Sequence, residues 1–174
     1  MIVAGDEASL YLQATLRVVW APKGQTPVVK VDPGREHVHF YGALNLQTGT
    51  EVVMRSPIMN GATSVLFLNK LVAAYPNQPL LLLWDRAPWH QGLAIRDFLA
   101  AHPNVEIFSL PPGAPDLNPQ EHVWKETREQ VTHNHTVNKL DKLADQFEDH
   151  LTTQTFPCSL LDHHDYQRIR AMFI

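Results

Sequence analysis

The sequence predicts a mixed α/β protein, and three observations support this class. Short stretches rich in β-branched and aromatic residues follow one another in the N-terminal third of the chain. One uninterrupted apolar run, Leu80–Trp84, is typical of a fully buried strand. Apolar residues recur every three to four positions in the segments on either side of that run, which indicates helices.

The first part of the chain is expected to consist of strands joined by short loops. The predicted strands are Ile2–Leu12, Leu16–Trp20, Val28–Val31, His37–Leu46 and Glu51–Arg55. Thr48 and Gly49 lie between the last two of these strands. They are expected to form the turn of a hairpin, because glycine accepts the backbone conformations that tight turns need.

The rest of the chain is expected to alternate helices with strands. A helix is predicted over Ala62–Tyr75, because Pro76 cannot continue it. The elements predicted after it are a strand at Leu80–Trp84, a helix over Gly92–Ala101, a strand at Val105–Leu110, a helix from Asn118 and Pro119 to about Thr132, and helical segments over Val137–Leu151 and Leu160–Phe173.

The string Pro111–Trp124 places a carboxylate, Glu121, on the first turn of a helix. Asn118 is a preferred N-cap residue. Pro119 suits the first helical position, because its missing N–H costs nothing there. Glu121 is therefore expected to be held rigidly, whereas Gln120 projects about 100° away around the same helix and is expected to be a neighbour without a role in the site.

Two further carboxylates follow apolar segments. Asp85 comes directly after Leu80–Trp84, and Asp6 ends the apolar opening Met1–Gly5. Two acids at strand ends and one on a helix can converge to hold divalent metal ions, which take hard oxygen ligands and leave positions open for substrate. Glu7 alternates to the opposite face of its strand from Asp6 and is expected to point away from such ions.

The strings around the three acids resemble known motifs. Gly5-Asp6-Glu7, the segment from Trp84 to His90, and the segment from Pro115 to Trp124 are similar, in order and spacing, to the motifs of DDE transposase catalytic domains. The group they resemble is the insertion-sequence-630 group of the Tc/mariner superfamily. The likeness covers about Ile2 to His135, and Arg86 departs from it, because the family usually has asparagine there.

This resemblance implies a fold and a chemistry. The fold is ribonuclease H-like, with a mixed central sheet flanked by helices. Asp6, Asp85 and Glu121 are implied to be both the catalytic residues and the ligands of two Mg²⁺ ions, with Mn²⁺ as a substitute and Asp6 as the bridging ligand. The implied function is metal-dependent cleavage of DNA at transposon ends, followed by strand transfer into target DNA.

Several other residues are candidates for DNA contact or for support of the site: Lys23, Arg86, His90, Asn118 and Lys125. Each has a plainer interpretation. His90 could simply pack or cap at the start of a helix, and isolated cations are usually solvated. Trp124, one turn beyond Glu121, is expected to be a core residue that fixes its helix.

Composition limits the remaining possibilities. A chain of 174 residues is expected to form one domain over 1–174, with a helical C-terminal extension over about 136–174. Cys158 is the single cysteine, so no internal disulfide is expected. No apolar run is long enough to cross a bilayer, and the start lacks a signal peptide, which favours a cytoplasmic, nucleoid-associated protein without membrane contact.

The formal net charge of −4 argues against a chain that grips DNA by itself. The family resemblance implies a helix-turn-helix region for DNA binding, which the sequence lacks. It is expected on a separate polypeptide or on a longer parent chain, and a homodimer is a candidate assembly. Two alternatives remain open: a non-catalytic transposase remnant that acts as an assembly or regulatory partner, and another ribonuclease H-like nuclease.

Overall fold

The central strand of the sheet carries Asp6, the first of the three candidate acids. The computed structural model describes residues 1–18, 20–25, 28 and 35–157. The strands in this part of the chain are β1 (Ile2–Tyr11), β2 (His37–Asn45), β3 (Glu51–Ser56), β4 (Leu80–Trp84) and β5 (Val105–Ser109). The helices are α1 (Gly61–Ala74), α2 (Leu93–Ala101), α3 (Gln120–Val131) and α4 (Leu140–Thr153). Short 3₁₀ helices occur at Pro88–His90 and Pro115–Leu117.

The strands form one mixed sheet in the order β3-β2-β1-β4-β5. β1, β2 and β3 are antiparallel neighbours, whereas β4 and β5 extend the sheet in parallel with β1. β1 pairs with β4 only from Ile2 to Ala4. β1 therefore extends beyond the residues that pair with β4. Asp6 lies inside β1 rather than at its end, just beyond the edge of the sheet at which Asp85 follows β4.

Helices cover both faces of the sheet. Alternate residues of β1 point to opposite sides, so Val3 packs with α1 and α2 while Ala4 packs with α3 and α4. By the same alternation Asp6 lies on the α3 face and Glu7 on the α1 face, as predicted. None of the described helices is long and apolar enough to cross a membrane.

Most predicted elements agree with the structure to about one residue. The helix α4 differs more, because it begins at Leu140 instead of Val137 and ends at Thr153 instead of Leu151. The predicted hairpin turn is confirmed: Gly49 has φ of 72°, and its N–H donates to the Asn45 carbonyl. A β-carbon at Gly49 would also collide with the Phe156 carbonyl.

The strand predicted over Leu16–Trp20 is wrong. Residues 16–18 and 20 are not in a strand, and Val18 and Trp20 are 102% and 103% exposed. Their β-branched and aromatic side chains suit a strand, but a strand also needs a neighbour to bond with. Of the predicted strand Val28–Val31 only Val28 lies among the described residues, and the predicted helix Leu160–Phe173 lies outside them.

A buried carboxyl group joins α3 to the sheet. Gln120 Nε2 donates to Glu51 Oε1 at 2.7 Å, and Gln120 Oε1 accepts from the Leu44 N–H at 2.9 Å. Burial raises the pKa of the Glu51 carboxyl well above its usual 4.5, although the Gln120 hydrogen bond opposes the shift. Glu51 is therefore expected to keep its proton to a higher pH in the folded protein than in the unfolded chain.

We expect Glu51→Gln to remove part of the pH dependence of stability. Because the folded pKa lies above the unfolded one, the contribution of Glu51 is fully present below the unfolded pKa and is lost as pH rises through the folded pKa. In that window, unfolding free energies from urea titrations should fall with pH up to about 1.4 kcal/mol per unit more steeply in the parent than in the variant.

The matched control is Glu106→Gln, which alters an exposed glutamate on β5. This control should keep the parent's slope. Parallel profiles for the parent and Glu51→Gln would show that folding does not raise the pKa of Glu51.

Candidate active site

Three carboxylates border one cavity at the edge of the sheet. Asp6 comes from β1, Asp85 from the residue after β4, and Glu121 from the first turn of α3. All three line a cavity of about 300 Å³, which the loop from Leu110 to Pro115 closes on one side. The structure thus brings together the three acids that the sequence singles out.

Burial and neighbouring acids both act on the Asp6 carboxyl group. Its pKa is raised from 3.8 to about 7, first by burial and then by the negative charge of Glu121, with smaller contributions from Glu7 and Asp85. The backbone N–H of Glu7 opposes the shift by hydrogen bonding to the carboxylate. Since repulsion between acids disfavours the ionised form, a cation in the cavity would favour it.

A tryptophan from the core holds one oxygen of Asp6. Trp124 Nε1 donates to Asp6 Oδ2 at 3.1 Å, and the Trp124 ring is buried among the residues of the α3 and α4 face. The expected core role of Trp124 is confirmed, and its contact with Asp6 comes in addition. Gly42 pairs with Asp6 across β1 and β2, and a β-carbon there would lie 2.6 Å from both Gln120 Nε2 and Trp124 Cη2. Glycine at this position therefore leaves the space that α3 occupies.

Asp85 is held through one oxygen as well. Its Oδ1 accepts from the Ala87 N–H at 3.0 Å and lies 2.7 Å from His90 Nδ1. No hydrogen bond to its Oδ2 occurs within the described part of the chain. The Asp85 side chain is half exposed at the cavity, whereas His90 is buried behind it.

His90 also contacts Glu7, which sequence reasoning missed. His90 Nε2 lies 3.0 Å from Glu7 Oε1, and Trp89 Nε1 donates to Glu7 Oε2 at 3.2 Å. Glu7 faces away from Asp6 as predicted, but His90 connects its carboxylate to Asp85. The only sequence signal is the joint presence of an acid after Asp6 and a histidine five residues after Asp85.

The first turn of α3 is fixed by side chains that bond to the sheet. Asn118 Nδ2 donates to the Gly5 carbonyl at 3.2 Å, and Asn118 Oδ1 accepts from the Gln120 N–H at 3.2 Å. The helix begins one residue later than predicted, so Pro119 occupies the N-cap position. Gln120 was expected to have no role, but it is fully buried and bonds to both Leu44 and Glu51.

The remaining candidates are placed in two groups. Arg86 and Asn118 line the cavity, and His90 lies directly behind Asp85. Lys23 and Lys125 are exposed and do not line it.

The three carboxylates are the candidate metal ligands of the cavity. Within the described residues, no three histidine, cysteine, aspartate or glutamate side chains are arranged to hold one metal ion together. A two-ion site that shares Asp6 needs only two protein carboxylates for each ion. Hard oxygen donors, mutual repulsion and an open cavity are the properties that such a site requires.

Comparison with protein families identifies the chain. A family model described as DDE superfamily endonuclease matches residues 1–144. The chain belongs to this family.

Solved structures share the fold. The paired-end complex of Mos1 transposase with the left transposon end matches with a TM-score of 0.69 and 17% identity, over 89% of this chain and 48% of that chain. The catalytic domain of Mos1 mariner transposase matches with a TM-score of 0.60 and 16% identity, over 88% of this chain and 70% of that one. A simian T-cell lymphotropic virus intasome, in complex with a PP2A regulatory subunit, matches with a TM-score of 0.59 and 10% identity, over 94% and 54%.

These matches confirm a ribonuclease H-like fold with a mixed sheet flanked by helices. The chain spans about half the length of the first transposase chain that it matches. A search of curated proteins gave no match.

Proposed function

We propose that this chain is the catalytic domain of a transposase that cuts DNA at transposon ends and joins those ends to target DNA. We place it in the insertion-sequence-630 group of the Tc/mariner superfamily. The observation that carries the proposal is the cavity bordered by Asp6, Asp85 and Glu121, in which neighbouring acids help to raise the pKa of Asp6 to about 7. Mos1 transposase, which shares the fold, is described in complexes with transposon ends and with Mn or Mg.

In this proposal Asp6, Asp85 and Glu121 would hold two Mg²⁺ ions, or Mn²⁺ in their place, with Asp6 as the ligand that both ions would share. When bound, the ions would supply activation of an attacking oxygen and charge stabilisation at the leaving oxygen of a phosphodiester. The chain's own residues supply the positioning. Trp124 fixes one oxygen of Asp6. The Ala87 N–H and His90 fix one oxygen of Asp85.

Contacts around the cavity support a nucleic-acid substrate. Arg86 lines the cavity and is exposed, which suits contact with a phosphate group beside the acids. We assign Lys23 and Lys125, which do not line the cavity, to outlying contacts with DNA. Because the net charge is −4, we assign most of the DNA affinity to a helix-turn-helix region on another polypeptide or on a longer parent chain. We propose that the assembled transposase is a homodimer associated with the nucleoid.

Divalent metal should stabilise the folded protein. An ion that binds only the folded state adds about 2.7 kcal/mol when its free concentration is a hundred times its Kd. Mn²⁺ or Mg²⁺ should therefore raise the melting temperature of the parent, as calorimetry can measure. The triple variant Asp6→Asn, Asp85→Asn, Glu121→Gln should lose this response.

The matched control replaces three exposed acids with the same residue types: Asp97→Asn, Asp149→Asn and Glu129→Gln. Its net charge equals that of the triple variant, so a response that depends on charge alone would change in both. An unchanged metal response in the cavity variant would rule out these ligands.

Glu121→Gln alone should abolish cleavage. This change keeps size and helix propensity but removes the negative charge that would hold an ion. Glu129→Gln makes the identical substitution on an exposed position of the same helix and should leave cleavage unchanged. The assay is Mn²⁺-dependent nicking of DNA carrying the terminal repeats that flank the coding sequence, with the DNA-binding region supplied.

Circular dichroism shows whether both variants stay folded. Full activity of Glu121→Gln would show that Glu121 is structural rather than catalytic, whereas a folded parent that does not nick the DNA would favour the non-catalytic alternative.

The 174-residue chain alone should bind duplex DNA weakly. Non-specific binding of this kind has a Kd of about 10⁻⁴–10⁻⁶ M at physiological salt and weakens steeply as salt is added. Fluorescence anisotropy with terminal-repeat and scrambled duplexes across a salt series measures both features. Tight binding that prefers the repeat sequence would show that this chain carries its own recognition surface.

A further inference from the structure

We propose that Glu7 and His90 are positioning residues that fix the orientation of the Asp85 carboxylate, with one oxygen held from behind and the other directed to the cavity. The metal-binding part of this inference rests on the proposed function, in which Asp85 is a ligand. The holding of Asp85 is a property of the fold and can be measured without metal.

The three side chains form a continuous path from the interior to the cavity. Glu7 is 5% exposed and His90 is 2% exposed, whereas Asp85 is 50% exposed. His90 lies 3.0 Å from Glu7 Oε1 through Nε2 and 2.7 Å from Asp85 Oδ1 through Nδ1. The imidazole therefore bridges a buried acid and an acid at the cavity.

The inner end of this path is anchored on both sides. Trp89 Nε1 donates a hydrogen bond to the second oxygen of Glu7 at 3.2 Å, so both Glu7 oxygens have partners. The His90 ring stacks on the Trp84 ring with centroids 3.5 Å apart and an angle of 23° between the planes. Trp84 is itself fully buried in β4. His90 consequently cannot swing away from Asp85 without breaking a stack and two polar contacts.

The chemistry of the bridge argues against simple packing. Each nitrogen of the imidazole lies within hydrogen-bond distance of a carboxylate oxygen, and Nδ1 also lies 3.3 Å from the backbone carbonyl oxygen of Asp85. Burying polar and ionisable side chains costs desolvation energy, and apolar residues of similar volume often stabilise a fold as well or better. Positioning of Asp85 explains why Glu7 and His90 are buried behind this acid despite the cost to stability.

Asp6 supplies an internal parallel. The ring N–H of Trp124 donates to Asp6 Oδ2 at 3.1 Å, and Trp124 is a core residue on the face of the sheet opposite to Trp84 and His90. Each aspartate thus has one oxygen tied to an aromatic ring from the core. Ligand orientation by such outer contacts commonly contributes about 10–100-fold to metal affinity.

The test compares three variants in the full chain. Glu7→Gln keeps the size of the side chain, and His90→Phe keeps a ring on Trp84 but removes both nitrogens. The double variant removes the buried carboxylate that His90→Phe would leave without its partner. Controls are Glu106→Gln and His102→Gln; His102 stacks on Phe98 at 4.1 Å, away from the cavity.

Two readouts are measured for each variant. The first is the Kd for Mn²⁺ alone, by titration calorimetry. The second is the side-chain carboxyl ¹³C resonance of Asp85 in metal-free protein, assigned with Asp85→Asn. His90→Phe should raise the Kd by about 10–100-fold and shift the resonance. Glu7→Gln should cause the same two changes to a smaller extent. The double variant should bind Mn²⁺ no more weakly than His90→Phe, because both substitutions act through the same contact with Asp85.

The outcomes separate this inference from the proposed function. If Asp85→Asn weakens Mn²⁺ binding but His90→Phe changes neither readout, the positioning role is wrong and the proposed function stands. If Asp85→Asn leaves Mn²⁺ binding unchanged, the proposed ligand set fails, and the resonance decides alone. A shift in folded His90→Phe or in the double variant supports the holding of Asp85, and an unmoved resonance overturns it.

Discussion

The seating of the first turn of α3 on the sheet is the constraint on which the cavity depends. Asn118 bonds to the Gly5 carbonyl, Gln120 bonds to the Leu44 N–H, and Trp124 bonds to Asp6. Each partner is fixed in position by β1 or β2. Leaving one such buried group without a partner costs about 1–3 kcal/mol, so these contacts define one position for the helix along the strands. Glu121, on the same turn, is thereby placed beside Asp6.

The mixed sheet explains why two aspartates meet there. Parallel pairing of β1 with β4 stops at Ala4, so β1 continues beyond this neighbour, and among the described strands only β2 pairs with it at Asp6. The edge left open beyond β4 admits solvent and gives Asp85 room to turn out of the sheet. Ligands of α/β folds commonly bind at the carboxyl ends of strands for this reason.

Local patterns predicted most of this fold, and contacts between distant segments account for the rest. Periodicity and turn residues located strand β4 exactly and most other elements to about one residue. They also selected Asp6, Asp85 and Glu121, because each follows a recognisable local signal. The burial of Gln120 and the link from His90 to Glu7 join residues 69 to 83 positions apart, which no local pattern records. The false strand at Leu16–Trp20 failed for the same reason, since side-chain preference does not supply a pairing partner.

Among the described residues, buried ionisable groups are concentrated around the acids rather than spread through the core. Glu7 and His90 support Asp85, while Glu51 bonds to the residue before Glu121. Each costs desolvation energy that an apolar side chain would avoid. Elsewhere the two core clusters are filled by aliphatic and aromatic residues. Under the proposed function, these polar groups hold the carboxylates in a fixed geometry, at a cost that the surrounding apolar core offsets.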